Sequence, residues 1–130
     1  MSTAINPKIF KAYDVRGLYP EEIDEKAVYA IACAAAQFLN AKSILVAMDN
    51  RASSPSLKKA VLNALDDVGV NVIDAGVATT PMFYFAVNQA KTDGGIMITA
   101  SHNPPQYNGC KITSREARPV GEDSGLADIK

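Results

Sequence analysis

Between residues 22 and 99 the chain alternates three times between a segment with helical apolar spacing and a short apolar run. From Glu22 to Asn40, Ile23, Ala27, Val28, Ile31, Ala35, Phe38 and Leu39 recur at helical intervals and form one stripe. Ser43 to Met48 is short, apolar and partly β-branched, closed by Asp49-Asn50, which predicts a strand. Ser54-Pro55 reads as an N-cap followed by proline at the first helical position. The helix it opens points Leu57, Ala60, Val61, Ala64, Leu65 and Val68 inward and stops at Gly69. Val70 to Val77 predicts a second strand with a glycine turn at Gly76, and Thr80-Pro81 repeats the cap-and-proline device for a helix to about Lys91. Asp93-Gly94-Gly95 breaks that helix, Gly95 to Thr99 predicts a third strand, and Gly109 to Thr113 one more, short strand.

Such alternation predicts an α/β fold: a three-layer α/β/α domain with a largely parallel mixed sheet covered by helices on both faces. Right-handed crossovers then bring the strands' C-terminal ends to one edge, the ligand edge of open α/β sheets. Asp49-Asn50-Arg51, Gly76 to Thr80 and Thr99 to Asn103 all fall there. With 130 residues, one domain and a real core are expected. A formal net charge of -1 leaves no electrostatic footprint for nucleic acid or an anionic membrane. No apolar run approaches the roughly 20 residues a membrane span needs, and no basic region followed by an apolar one opens the chain. Cys33 and Cys110 lack metal-type or redox-type spacing, which favours a reducing, cytoplasmic setting.

The chemistry gathers in Thr99 to Gly109, TASHNPPQYNG, which holds the only histidine of the chain. Pro104 keeps Asn103 out of the helical region and Pro105 does the same to Pro104, so the loop is confined before any ligand arrives. Gly109 is expected to turn the chain back and bring Lys111 towards the same opening. Ser101 would need activation to act as a nucleophile. Neighbouring His102 points to the other side in an extended segment, and no Gly-x-Ser-x-Gly elbow surrounds the serine. A hydrolase triad is therefore disfavoured. Thr99, Ser101 and Asn103 also suit plain capping of strand and turn backbone, and both readings stand on spacing alone.

TASHNPPQYNG followed by Cys110-Lys111-Ile112 resembles the phosphoserine loop of the α-D-phosphohexomutases, the phosphomannomutase and phosphoglucomutase enzymes. Phe10 to Gly17, FKAYDVRG, resembles that family's opening signature. Asp49-Asn50-Arg51-Ala52-Ser53 is similar to its Asp-Gly-Arg-x-Ser loop, and Gly76 to Pro81 to its Gly-x-x-x-Thr-Pro turn. All four come in family order across residues 8 to 113, and the serine loop and opening octet are closest to the bacterial type that accepts mannose and glucose phosphates.

The resemblance implies that Ser101 carries a phosphoryl group and exchanges it with a hexose phosphate through a bisphosphorylated sugar. Phosphate thus moves between positions 1 and 6, with hexose 1,6-bisphosphate as intermediate or activator. It implies Mg2+ on one oxygen of the phosphoserine, so that Ser101 is a metal site through its phosphate. Lys111, His102 and Arg16 take catalytic roles by the same resemblance, with Asn103 beside the substrate, Asp49 and Arg51 bracing the loop, and Tyr13 suiting substrate contact and plain packing equally. Arg16 also suits a structural ion pair with Asp14. Met48 stands where the family often has arginine, Asn50 where glycine is usual, and Cys110 where an aromatic or aliphatic residue is usual. The family has four domains around one cleft, and the resemblance covers the first. Its Asp-x-Asp-x-Asp metal loop is missing from the sequence, which places the main Mg2+ ligands, and domains 2-4, elsewhere in a parent chain. Ser124 to Lys130 looks like the opening of a helix that stops short, so residues 1-130 are expected to be a truncated N-terminal domain, inactive alone. The rival reading is a non-catalytic phosphate-binding or interaction module built on that domain.

Overall fold

A computed structural model gives the structure and describes residues 9, 14–100, 103–115 and 118. The elements run β1 (Val15–Leu18), α1 (Glu25–Leu39), β2 (Ser43–Met48), α2 (Ser54–Asp67), β3 (Asn71–Val77), α3 (Thr80–Ala90), β4 (Gly95–Ile98) and β5 (Tyr107–Thr113). They build one five-stranded sheet in the order β1-β5-β4-β2-β3. β4, β2 and β3 are parallel, whereas β5 is antiparallel to both β4 and β1. The three parallel strands end on one edge, as the alternation of elements requires, and β5 enters from that edge.

Side-chain alternation along the strands divides the molecule in two. Ile44, Val46, Ile96, Ile98, Cys110 and Ile112 face α1 and α2 and join Val28, Ile31, Leu57, Val61 and Leu65 in the main core. Leu45, Ala47 and Met97 face the other way and form a smaller cluster with Phe83 and Val87 of α3, edged by the partly buried Tyr84, Ala86 and Ala90. The stripe predicted for α1 holds except at Phe38, which lies at its margin in the last turn and is 40% exposed. Val68 is likewise exposed, because it is the C-cap residue and leaves helical geometry before Gly69 takes φ +76.

Both proline-opened helices begin one position earlier than their sequence signals read. Ser53 and Thr79 are the N-caps, so Pro55 and Pro81 follow a first helical residue instead of a cap. The first four helical N–H groups have no partner within the helix, so either placement costs the proline nothing. Thr79 Oγ1 accepts from Met82 N–H, whereas the Ser53 side chain makes no cap bond. Gly76 lies inside β3 and not at its end: Val46 pairs with Asp74 and Ala47 with Gly76, leaving Ala75 as an extra residue in a bulge. Its φ of +71 suits glycine there. Asn50 does not need its tolerance of left-handed backbone, since it is absent from the positive-φ residues.

Gly109 has a different job from the turn expected of it. It sits within β5 opposite Arg16, where an added Cβ would lie 1.9 Å from the Val15 carbonyl oxygen. Only glycine lets β1 approach so closely. The reversal of the chain happens earlier, where Tyr107 N–H donates to Pro104 O at 2.9 Å.

Candidate active site

A concavity of about 1130 Å³ opens at the C-terminal edge of the parallel strands. Asp49 to Ala52 follow β2, Val77 to Met82 lead from β3 into α3, and Thr99, Asn103 and Pro105 follow β4. Lys111 reaches the same space from β5, where it pairs with Met97 on the face opposite the main core. Residue alternation in β1 puts Asp14 and Arg16 on that face too, since Val15 points into the core. α3 packs on β2 and β4, and the charged groups sit on the β1 and β5 side of the same face.

Three cationic side chains organise this region. Arg51 is held by its neighbour Asp49, whose Oδ2 accepts from Nε at 3.0 Å and whose Oδ1 accepts from the Arg51 backbone N–H at 3.1 Å. Its other nitrogens donate to three carbonyls of the loop: Nη2 to Asn103 at 2.8 Å, Nη1 to Pro104 at 2.8 Å and to Tyr107 at 3.1 Å. A planar fork of donors can satisfy several loop carbonyls at once, which a lysine could not. Asp49 is itself fixed, because Ser54 Oγ donates to its Oδ1 at 2.5 Å. Lys111 Nζ donates to Asp14 Oδ2 at 3.2 Å, and Arg16 Nε lies 3.7 Å from Asp14 Oδ1. Arg16 Nη1 donates onward to Asn103 Oδ1 at 2.9 Å.

The chain on either side of Ser101 and His102 is anchored. Thr99 N–H donates to Gly109 O at 2.9 Å, and Asn103 N–H donates to Ala100 O at 3.1 Å. Ser101, His102 and Tyr13 themselves lie outside the described residues. Among the residues singled out from sequence, Asn103, Asp49, Arg51 and Lys111 line one cavity, and Arg16 joins them through Asn103. Two participants were not singled out. Asn108 is fully buried, and its Nδ2 donates to Ser53 Oγ at 2.7 Å and Ser54 Oγ at 3.1 Å, tying the loop to the start of α2. Asp14 was named only as a partner for Arg16, and its bond to Lys111, 97 positions away, leaves no trace in local sequence. Cys110, by contrast, is inert: burial pushes its thiol up to about 12, and the negative Asp14 adds to the rise.

No group of three or more His, Cys, Asp or Glu side chains gathers as a metal site among the described residues. The two carboxylates of the region are both engaged, Asp14 by Lys111 and Arg16 and Asp49 by Arg51 and Ser54. These residues therefore do not make a carboxylate nest for Mg2+.

The family model "Phosphoglucomutase/phosphomannomutase, alpha/beta/alpha domain I" matches residues 7–129. The chain belongs to the phosphoglucomutase/phosphomannomutase family. It is 45% identical over 121 residues to a phosphomannomutase of Escherichia coli strain K12, covering 93% of this chain and 26% of that protein. Against the phosphohexose mutases of Xanthomonas campestris pv. campestris it is 41% identical, with 93% and 27% covered. The crystal structure of a phosphoglucomutase/phosphomannomutase family protein from Burkholderia thailandensis superposes with a TM-score of 0.86 at 35% identity, covering 96% of this chain and 30% of that one. The chain thus corresponds to domain I of the family and spans about a quarter to a third of these relatives. Among the described residues no helix is long and apolar enough to cross a membrane.

Proposed function

We propose that this domain carries the transferred phosphoryl group of a phosphomannomutase/phosphoglucomutase on Ser101. The observation that carries the reading is the clamped loop. Arg51 gathers three carbonyls of residues 103 to 107, and hydrogen bonds fix the chain at Thr99 and Asn103, close on either side of Ser101. Phosphoryl transfer depends on in-line positioning and charge neutralisation, and a pre-set loop beside Lys111 and Arg16 supplies both.

In the forward step the bond between phosphorus and Ser101 Oγ breaks and one forms to the free hydroxyl oxygen of a mannose or glucose phosphate. The hydroxyl proton leaves to a base, and a 1,6-bisphosphorylated sugar results. After reorientation the sugar returns its other phosphoryl group to Ser101, so that phosphate has moved between positions 1 and 6. Lys111 and Arg16 serve best as charge partners for the transferring group, since fixed cations stabilise the charge that develops on it. His102 and Asn103 orient the phosphoryl group or the incoming hydroxyl, and Tyr13 lies beside the substrate. Mg2+ would add neutralisation at the phosphoserine, with its carboxylate ligands and the sugar-reading loops supplied by parts of a longer polypeptide.

Intact mass of the protein, as isolated and after incubation with hexose 1,6-bisphosphate and Mg2+, tests this. One added phosphate, absent from Ser101→Ala, is the expected result. Turnover of glucose 1-phosphate by the 130-residue chain itself is expected to be negligible. Protein that stays adduct-free yet binds inorganic phosphate would favour the non-catalytic phosphate-binding module instead.

A further inference from the structure

Asp14 stands where cations from two strands meet. Its side chain is 9% exposed, and a carboxylate so far from water requires compensating partners. It has two: Lys111 Nζ at 3.2 Å on Oδ2 and Arg16 Nε at 3.7 Å from Oδ1. Arg16, the more exposed of the pair, extends past Asp14 to Asn103 Oδ1 at 2.9 Å. A single carboxylate thereby joins β1, β5 and the loop that follows Ser101.

No other described acid is free to do this. Asp49, the carboxylate that lines the cavity itself, is occupied by Arg51 and Ser54. β4 and α3 contain no charged residue, and Asp74 of β3, which borders the space through Val77, is paired with Lys58. Lys111 and Arg16 are long side chains with many rotamers, and two like charges on adjacent strands repel unless an anion lies between them. Without Asp14 both would be driven apart and into solvent. With it, they stand side by side on the open half of the sheet.

We propose, resting on the phosphoserine reading, that Asp14 is the positioning residue of this site: it orders Lys111 and Arg16 for a phosphoryl group and shares them with that group once it arrives. Asp14 does not react. It decides where the two cations are.

The test reads the side chains themselves, in the 130-residue chain, by nitrogen-15 NMR of the Lys111 Nζ and Arg16 Nε groups. Asp14→Asn is expected to speed their hydrogen exchange with water about tenfold or more, the loss of one charge-assisted hydrogen bond. Backbone amides of β1 and β5 should keep their protection, and Asp14→Glu should recover part of the effect. Unchanged side-chain exchange in a folded Asp14→Asn overturns the proposal, as does an equal loss of backbone protection, which would mark a structural role. Should Asp14→Asn not fold, the wild-type chain decides. Titration with inorganic phosphate should shift the Asp14 carboxylate carbon as its two cations change partners, and an unmoved signal overturns the proposal. Neither readout involves Ser101, so an absent phosphoserine and an idle Asp14 are separate failures.

Discussion

The two faces of the sheet are built on opposite principles. On one, α1 and α2 seal a continuous apolar layer from Val15 through Ile112, Ile98 and Val46, all of them buried. On the other, a single helix covers the middle strands, and the uncovered half bears Asp14, Arg16 and Lys111. The first face supplies the burial that makes the fold stable. The second spends part of that stability on a half-buried charge cluster that water alone would solvate better. The strands between them serve both, which is why β5 alternates Cys110 and Ile112 inward with Lys111 outward.

Leu65→Ala is the sharpest way to break this contrast, since Leu65 is fully buried under the sealed face. A loss of about 3 kcal/mol in chemical denaturation is expected from lost burial plus the cavity left behind. A loss under about 1 kcal/mol would mean that the sealed face is not what holds the domain together. Arg51→Ala strikes the other side. Its guanidinium serves three loop carbonyls and Asp49, so a loss of about 2 kcal/mol is expected, with faster amide exchange confined to residues 103 to 107. A uniform loss of protection would show that the loop and the core are one cooperative unit.

The smallest effect is a slope in acid. Asp93 accepts from the backbone N–H of Lys42 at 2.8 Å and of Ser43 at 3.2 Å, at the edge opposite the site. The Lys42 bond chiefly, helped by that of Ser43 and by Arg115, holds its carboxyl below the usual aspartate value. A group lowered on folding stabilises above its unfolded value, near 3.9 for aspartate, and that stability fades as pH falls through the lower folded value. Urea midpoints at pH 7 and pH 3 should therefore fall further for wild type than for Asp93→Asn. Parallel losses would remove Asp93 from the account.

Most of the architecture was legible because it rests on local signals: α1, β2, α2 and β4 each match their apolar spacing to within a few residues, and α3 its cap-and-proline opening and glycine stop. β1 was not. It has four residues, one of them Arg16 and one Gly17, so no alternation could be read, and it exists because Gly109 admits it beside β5. The phosphoserine loop was legible for another reason, being a contiguous string. What the string does not show is who holds it. Arg51 lies 52 to 56 positions from the carbonyls it binds, and Asn108 lies 54 or 55 from the serines it joins. Such pairs are made by the fold, and no local pattern encodes them.

The bulge at Ala75 has a reach beyond β3. That strand closes the sheet on one side, and its outward amides would otherwise offer a ready ladder to any stray extended peptide. The extra residue throws those amides out of step, and Asp74, tied to Lys58 of α2, adds a charge to the strand. An incoming strand would meet a kinked template, which disfavours plain backbone zipping there.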